Sequence, residues 1–174
     1  MTAGALLPLR LGHRPQTSSA IPHVQLDQQP ADGRLSDAII DEAGAWPHVQ
    51  EQESGVSAEG ARALVLHPPA ARGPAEAFLV GREFCHAHPD SDHSFHATLP
   101  AELAAEAVLA GWCTPHPLVR AGKVPPTFVM LHAPRDDSEA QVVLALVRSS
   151  FLFASAGTAH RSPAGEPATN SLGG

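Results

Sequence analysis

The chain has 174 residues, 43% of them hydrophobic and 17% charged, with a formal net charge of −7. That suits one domain around one hydrophobic core, and the acidic balance, with no basic stripe to neutralise phosphates, argues against a general nucleic-acid binder. Cys85 and Cys113 are the only cysteines, the opening Met1 to Pro8 lacks the basic region of a signal peptide, and no apolar run is long enough to cross a bilayer, so a soluble, cytoplasmic protein with reduced thiols and no membrane partner is expected.

Taken in chain order, residues 1–34 carry Pro8, Pro15, Pro22 and Pro30 with little periodicity and read as an extended arm over the core. Ser36 is placed to cap a short helix from Asp37 to Ala45, with Ile39, Ile40 and Ala43 on its inner face. Gly44 and Pro47 would end it. Residues 51–60 read as a polar connection. Ala61 to His67 reads as a strand and Glu76 to Val80 opens a second, with proline and glycine between them. Ser94 to Leu99 alternates as a third strand. Pro100 marks a helix start, Ala101 to Ala110 is helix-forming, and Gly111 stops it. Thr127 to His132 is the next strand. Asp136 with Glu139 forms a capping-box-like start to a last helix with Ala140, Val143, Leu144, Val147 and Phe151 at helical spacing. From Ser155 the tail is rich in Ser, Ala, Gly and Pro and is expected to be disordered. Strands and helices mix without regular alternation. The expected fold is therefore α+β: a mainly antiparallel sheet with two to three helices packed on it, spanning 35–154 between the arm at 1–34 and the tail at 155–174.

The chemistry concentrates in residues 82–96, which hold His86, His88, His93 and His96 with Arg82, Glu83, Asp90 and Asp92. Side chains two apart on a strand share a face, so His86 and His88 point the same way. Pro89 to Asp92 is rich in turn formers. If the loop runs from Pro89 to His93, His88 faces Ser94 and His86 faces His96, and three imidazoles converge with an open position for water, oxygen or substrate. A loop one residue shorter would replace His96 by His93, and register decides between them. Glu83 has the opposite parity from His86 unless a bulge intervenes. Asp92 is placed to hydrogen-bond a histidine Nδ1–H. Metal ligation by His86, His88 and His96, a metal-free histidine active site, and a solvated polar rim all fit this cluster. His13, His23, His48, His67 and His160 read as surface residues of loops and arms. His116, in the turn after Trp112, suits a pocket wall, whereas packing suits Trp112 at least as well.

The set Arg82-Glu83-x-x-His86-x-His88, Asp92-x-Ser94-x-His96, Gly111-Trp112, His116-Pro117-Leu118, Pro125-Pro126 and Ala133-Pro134-Arg135 resembles the fungal luciferases and their bacterial homologues, a luciferase-like domain family. A fainter likeness covers Leu7-Pro8, Arg10, Gly12 and Arg14-Pro15. The resemblance implies an oxygenase that adds O₂ to a small enolic or hydroxypyrone-type substrate such as 3-hydroxyhispidin. It favours the His86, His88, His96 trio and implies a soluble relative without the fungal membrane-associated segment. The expected roles are base or metal ligand for His86, His88 and His96, base or orienting group for Glu83, anion stabilisation by Arg135 with Arg82 as second choice, and substrate contact by Arg82, Trp112 and His116. The cofactor expectation is a divalent transition metal (Fe, Zn, Cu or Mn) or none. The alternatives are a metal-dependent hydrolase or lyase on a three-histidine site and a non-catalytic small-molecule or metal binder. No G-x-S-x-G elbow and no phosphate-binding glycine loop occur, so serine hydrolysis, flavin and nucleotide cofactors are not expected.

Overall fold

Four helices and six strands emerge in the computed structural model, which describes residues 7–89 and 92–156. In chain order they are α1 (Arg34–Gly44), β1 (Val49–Glu53), β2 (Arg62–Leu66), β3 (Glu83–Ala87), β4 (Phe95–Thr98), α2 (Ala101–Leu109), β5 (Cys113–Pro115), the single turn α3 (Pro117–Arg120), β6 (Phe128–Leu131) and α4 (Asp137–Ser155). The strands form one sheet in the order β1-β2-β3-β4-β6-β5, and every pairing is antiparallel. The α+β architecture expected from the mixed pattern is the one observed, with α1, α2 and α4 as the longer helices. No helix among the described residues is long and apolar enough to cross a membrane.

Local chemistry explains the helix ends. The Asp136 carboxylate accepts the Glu139 N–H at 2.9 Å and caps α4 as anticipated. Gly111, at φ +87°, takes the left-handed turn that ends α2. Ser36 does not cap α1. Asp32 accepts the Arg34 N–H at 3.1 Å, so the turn starts earlier with Gly33 at the cap, and Ser36 inside the helix donates its hydroxyl to the His93 carbonyl at 2.6 Å.

Three strand expectations need correction, the first being Cys113–Pro115, read as part of a turn but paired with β6 as β5. Val49–Glu53, placed in and beside a polar connection, is an edge strand. Only Val49 is buried along it, so no alternation betrayed the strand. Arg62 holds that edge to α1 by pairing with Glu51 at 2.7 Å, Asp41 at 2.6 Å and Asp37 at 3.0 Å. The stretch 76–80 does not open a strand. A 3₁₀ turn over Ala75–Ala77 stands there, because Thr127 and Thr98 hydroxyls satisfy the Glu76 and Ala77 carbonyls at 2.7 and 2.8 Å in place of a ladder partner. The strand proper starts at Glu83.

Alternation along the sheet separates two faces. Leu64, Leu66, Cys85, Ala87, Phe95, Ala97, Val129 and Leu131 join the apolar core with Ile39, Ile40, Ala104, Ala107, Val143, Leu146 and Val147 of the helices. The opposite face carries a row running Ala63, His86, His96, Met130 and Thr114 across neighbouring strands. Residues 7–33 add no helix or ladder strand beyond an isolated bridge between Thr17 and Gln25. Part of this arm lies on the histidine face: His23 and Gln25 are 4% and 2% exposed.

Gly73 donates to the Ala154 carbonyl at 2.8 Å and lies so close to α4 that a Cβ would stand 2.3 Å from the Phe153 carbonyl oxygen. Gly73→Ala is therefore expected to cost about 1–3 kcal/mol by forcing α4 off the sheet. Gly55→Ala, whose Cβ meets only a Val80 methyl at 3.4 Å, should cost much less. Denaturant midpoints of the two variants check the contrast.

Candidate functional site

The β3–β4 hairpin fixes the histidine geometry. His86 pairs with His96 across the strands, and the His88 N–H donates to the Ser94 carbonyl at 2.8 Å. This is the longer-loop register, so His96 rather than His93 joins His86 and His88. His93 turns toward α1, where its ring lies against Gly33. Asp90 and Ser91 fall outside the described residues.

A bulge supplies the next element. Leu64 pairs with Cys85, but Val65 pairs with Glu83, which leaves Phe84 as an extra residue on β3. The extra residue reverses the parity of Glu83 and puts its carboxylate on the histidine face. There His86 Nδ1–H donates to Glu83 Oε1 at 2.6 Å. The Ser54 hydroxyl donates to the same oxygen at 2.9 Å, and the Gly55 N–H donates to Oε2 at 3.0 Å. On the other side of the hairpin, His88 Nδ1–H donates to Asp92, whose second oxygen accepts the Gln25 N–H at 3.0 Å.

An ionised carboxylate only accepts, so both Nδ1 atoms carry their protons and both Nε2 atoms present lone pairs. These lone pairs converge on one atom. His96 Nδ1 lies 3.1 Å from His88 Nε2 and 3.2 Å from His86 Nε2. His96 Nε2 meets His23 Nδ1 at 3.1 Å, with the two rings stacked at 5.2 Å. His116 packs edge-on against His96 and His23, at 5.0 and 5.2 Å between centroids. Its Nδ1 accepts the Leu118 N–H at 3.2 Å, which leaves the proton of the neutral ring on Nε2. Among the described residues, two trios hold ligand atoms within 4.8 Å of one another: His86, His88, His96 and His23, His96, His116.

Burial dominates the electrostatics. It holds His96 well below the ordinary imidazole range, and the neighbouring histidines push the same way. Burial also lowers His86, against the opposing pull of Glu83. His23 is depressed to about 4 by burial, then by His116 and His88, and burial lowers His116 as well. Burial pushes the Asp92 carboxyl up, but hydrogen bonds from His88, Ser94 and the Gln25 backbone outweigh it and hold the group below its usual value. The shifted imidazoles are bases in neutral form near pH 7.

The remaining sequence candidates lie elsewhere. Arg135 is held by Glu139 and by Gln28 at 3.1 Å and the Leu11 carbonyl at 2.8 Å. Arg82 is exposed and donates to the Leu66 carbonyl. Trp112 sits in the apolar core with its indole N–H on the Pro8 carbonyl at 2.5 Å. None of these hydrogen bonds reaches the imidazoles. His13, His48 and His67 are exposed, and His160 falls outside the described residues. Two histidines were missed. His23 read as an arm residue, and no local pattern marks it, since only the packing of the arm brings it in. His132 directly follows β6 and is fully buried, bonded through Nε2 to Thr114 at 3.0 Å and through Nδ1–H to the Gly111 carbonyl at 2.9 Å.

Residues 81–150, from just before β3 through most of α4, match a family model described as Luciferase domain. The luciferase of Neonothopanus nambi is 39% identical over 72 residues, which cover 40% of this chain and 27% of that protein. The luciferases of Armillaria mellea and Armillaria ostoyae are each 36% identical over the same extent. The chain thus spans about a quarter of the length of these curated relatives. It is luciferase-like, and fungal-luciferase-like, over the segment that carries His86, His88, His96 and His116. These relatives are fungal and give no support to a bacterial origin. No solved structure matches.

His132 yields a pH prediction. Burial depresses its imidazole from 6.5 to about 4. Above pH 6.5 the ring is neutral in both folded and unfolded chains, so it adds no pH dependence. As pH falls from 6.5 toward 4 the unfolded chain takes up the proton first, and stability falls. His132→Gln should make the stability profile shallower by on the order of 3 kcal/mol over that window. Denaturant unfolding at a series of pH values reads the difference, and identical slopes would contradict the assignment.

Proposed function

From a luciferase-like segment built around these imidazoles, we propose that the protein is an oxygenase that joins O₂ to a small enolic substrate of the hydroxypyrone type. The observation that carries the reading is the convergence of imidazoles whose outer nitrogens are fixed by Glu83 and Asp92. That arrangement holds bare Nε2 lone pairs in place as proton acceptors. His88 and His116 are the partly exposed members of the cluster, so substrate approaches from their side.

In the proposed reaction a neutral imidazole, His88 or His86, takes the acidic proton and leaves an electron-rich enolate. The enolate carbon gives its electron pair to O₂, forming a C–O bond and reducing oxygen to the peroxide level. The proton returns from the imidazolium to the terminal oxygen, so substrate and O₂ combine with no external reductant. His116 Nε2–H is the donor best placed to stabilise the developing oxyanion, a role first given to Arg135 and Arg82. The reading includes a reducing, cytoplasmic setting, supported by two buried free thiols, Cys85 and Cys113.

A hydroxypyrone assay on an oxygen electrode tests this reading. The wild-type chain is expected to consume O₂ in step with substrate. His86→Ala and His96→Ala should lower kcat/KM by at least ~100-fold, and His67→Ala should leave it unchanged. Product formation without O₂ would instead support a hydrolase or lyase, and equal rates in all three variants would remove the cluster from the chemistry.

A further inference from the structure

We infer that His86 Nε2, His88 Nε2 and His96 Nδ1 form a binding site for one divalent transition-metal ion, with Glu83 and Asp92 as its outer carboxylates and His23 as the hydrogen-bond partner of the third ligand. The inference rests on the same cluster and goes beyond the oxygenase reading: His86 or His88 acts as base in the metal-free chain, whereas a bound ion would take up those lone pairs and would itself acidify the enol. Its test reads metal binding without substrate, so either can fail alone.

Proton counting is the first argument. Glu83 and Asp92 fix the protons of His86 and His88 on Nδ1, so two Nε2 lone pairs face His96 Nδ1 at 3.2 and 3.1 Å. A proton on His96 Nδ1 lies between two acceptors and fully satisfies only one. A bound cation satisfies all three nitrogens at once. The spacing also fits, because imidazole nitrogens bound tetrahedrally at ~2.0–2.1 Å stand about 3.3 Å apart.

Charge is the second argument. Glu83 and Asp92 are 2% and 7% exposed. Among the described residues their hydrogen bonds come from imidazoles, hydroxyls and backbone N–H groups, with no lysine or arginine ion pair. Two buried carboxylates with no lysine or arginine beside them leave negative charge that a divalent ion would balance. Carboxylate-bound Nδ1–H groups on metal-ligating histidines are also the arrangement that raises ligand basicity and fixes ring orientation.

Tautomers choose between the two trios. In the inferred site His96 Nε2 carries the proton and donates to His23 Nδ1 at 3.1 Å, so every nitrogen in the chain has a consistent role. In the trio of His23, His96 and His116, the His116 Nδ1 already accepts a backbone N–H. Among the described residues, no hydrogen bond to a carboxylate orients His23 or His116 there. His116 instead packs edge-on against His96, 5.0 Å between ring centroids. Three imidazole ligands suit Zn²⁺, Fe²⁺, Co²⁺ or Cu²⁺ rather than Mg²⁺ or Ca²⁺.

The test is titration of the chelator-stripped, tag-free chain with Co²⁺ alone, then Zn²⁺ alone, followed by visible absorption and calorimetry. One equivalent is expected, with the intense visible bands of low-coordinate Co²⁺ and a raised melting temperature. His88→Ala should lose the bands. Glu83→Gln, a conservative change, should weaken binding by about 10–100-fold, and it decides the matter if His88→Ala fails to fold by circular dichroism. His116→Ala should still bind one equivalent. No binding by the wild type, unchanged binding in folded His88→Ala or in Glu83→Gln, or loss of binding in folded His116→Ala would each overturn the inference.

Discussion

The hydrogen bond from His86 to Glu83 depends on one extra residue. Without Phe84 bulged out of the β2–β3 ladder, Glu83 would face the helices, and a carboxylate there would sit in an apolar core with nothing to accept from. With the bulge, the carboxylate lands beside the imidazole it orients, and Ser54 and Gly55 at the end of β1 complete its shell. Phe84 itself is not spent on the site. Its ring goes to the helix side, 6.1 Å from Phe151 of α4. One irregularity thus adds a core aromatic on one face and a ligand-orienting group on the other.

The sheet divides its labour by face. The helix-covered face carries the apolar burial that stabilises the fold, at roughly 25 cal/mol per Å² removed from water. The other face buries histidines and carboxylates, which is tolerable only because each has a hydrogen-bond partner. The arm supplies several of those partners. The Gln25 backbone N–H holds Asp92, and its side-chain carbonyl accepts the Ala133 N–H at 2.9 Å, tying the arm to the end of β6. His23 then sits over His96. The site is assembled from the arm, one hairpin and the turn before α3, so its geometry depends on tertiary packing rather than on a contiguous motif.

Much of this was legible beforehand. Alternation placed β4, an apolar run β6, and composition, helical spacing and end signals α2 and α4, while the Pro89 to Asp92 turn formers implied the hairpin that opposes His86 and His96. Period-two parity even stated the condition, a bulge, under which Glu83 would join them. Among the features that escaped, three show the physical reason plainly. An edge strand exposed on nearly every residue, Val49–Glu53, has no hydrophobic period to detect. The 3₁₀ turn at Ala75–Ala77 is held by threonine hydroxyls that come from distant β4 and from Thr127 just before β6. His23 gains its meaning from contacts more than seventy residues away. Arg135 is the reverse case: its position before a helix suggested anion binding or a salt bridge to Asp136, Asp137 or Glu139, and its guanidinium pairs with Glu139 one turn later.

The central claim is that carboxylates set the imidazole tautomers, leaving two Nε2 lone pairs aimed at His96. Long-range ¹H–¹⁵N correlation of the histidine rings in metal-free protein near neutral pH reads those tautomers directly. The account predicts Nδ1–H with bare Nε2 at both His86 and His88. Protonated Nε2 with bare Nδ1 at either ring, or imidazolium at both, would contradict it.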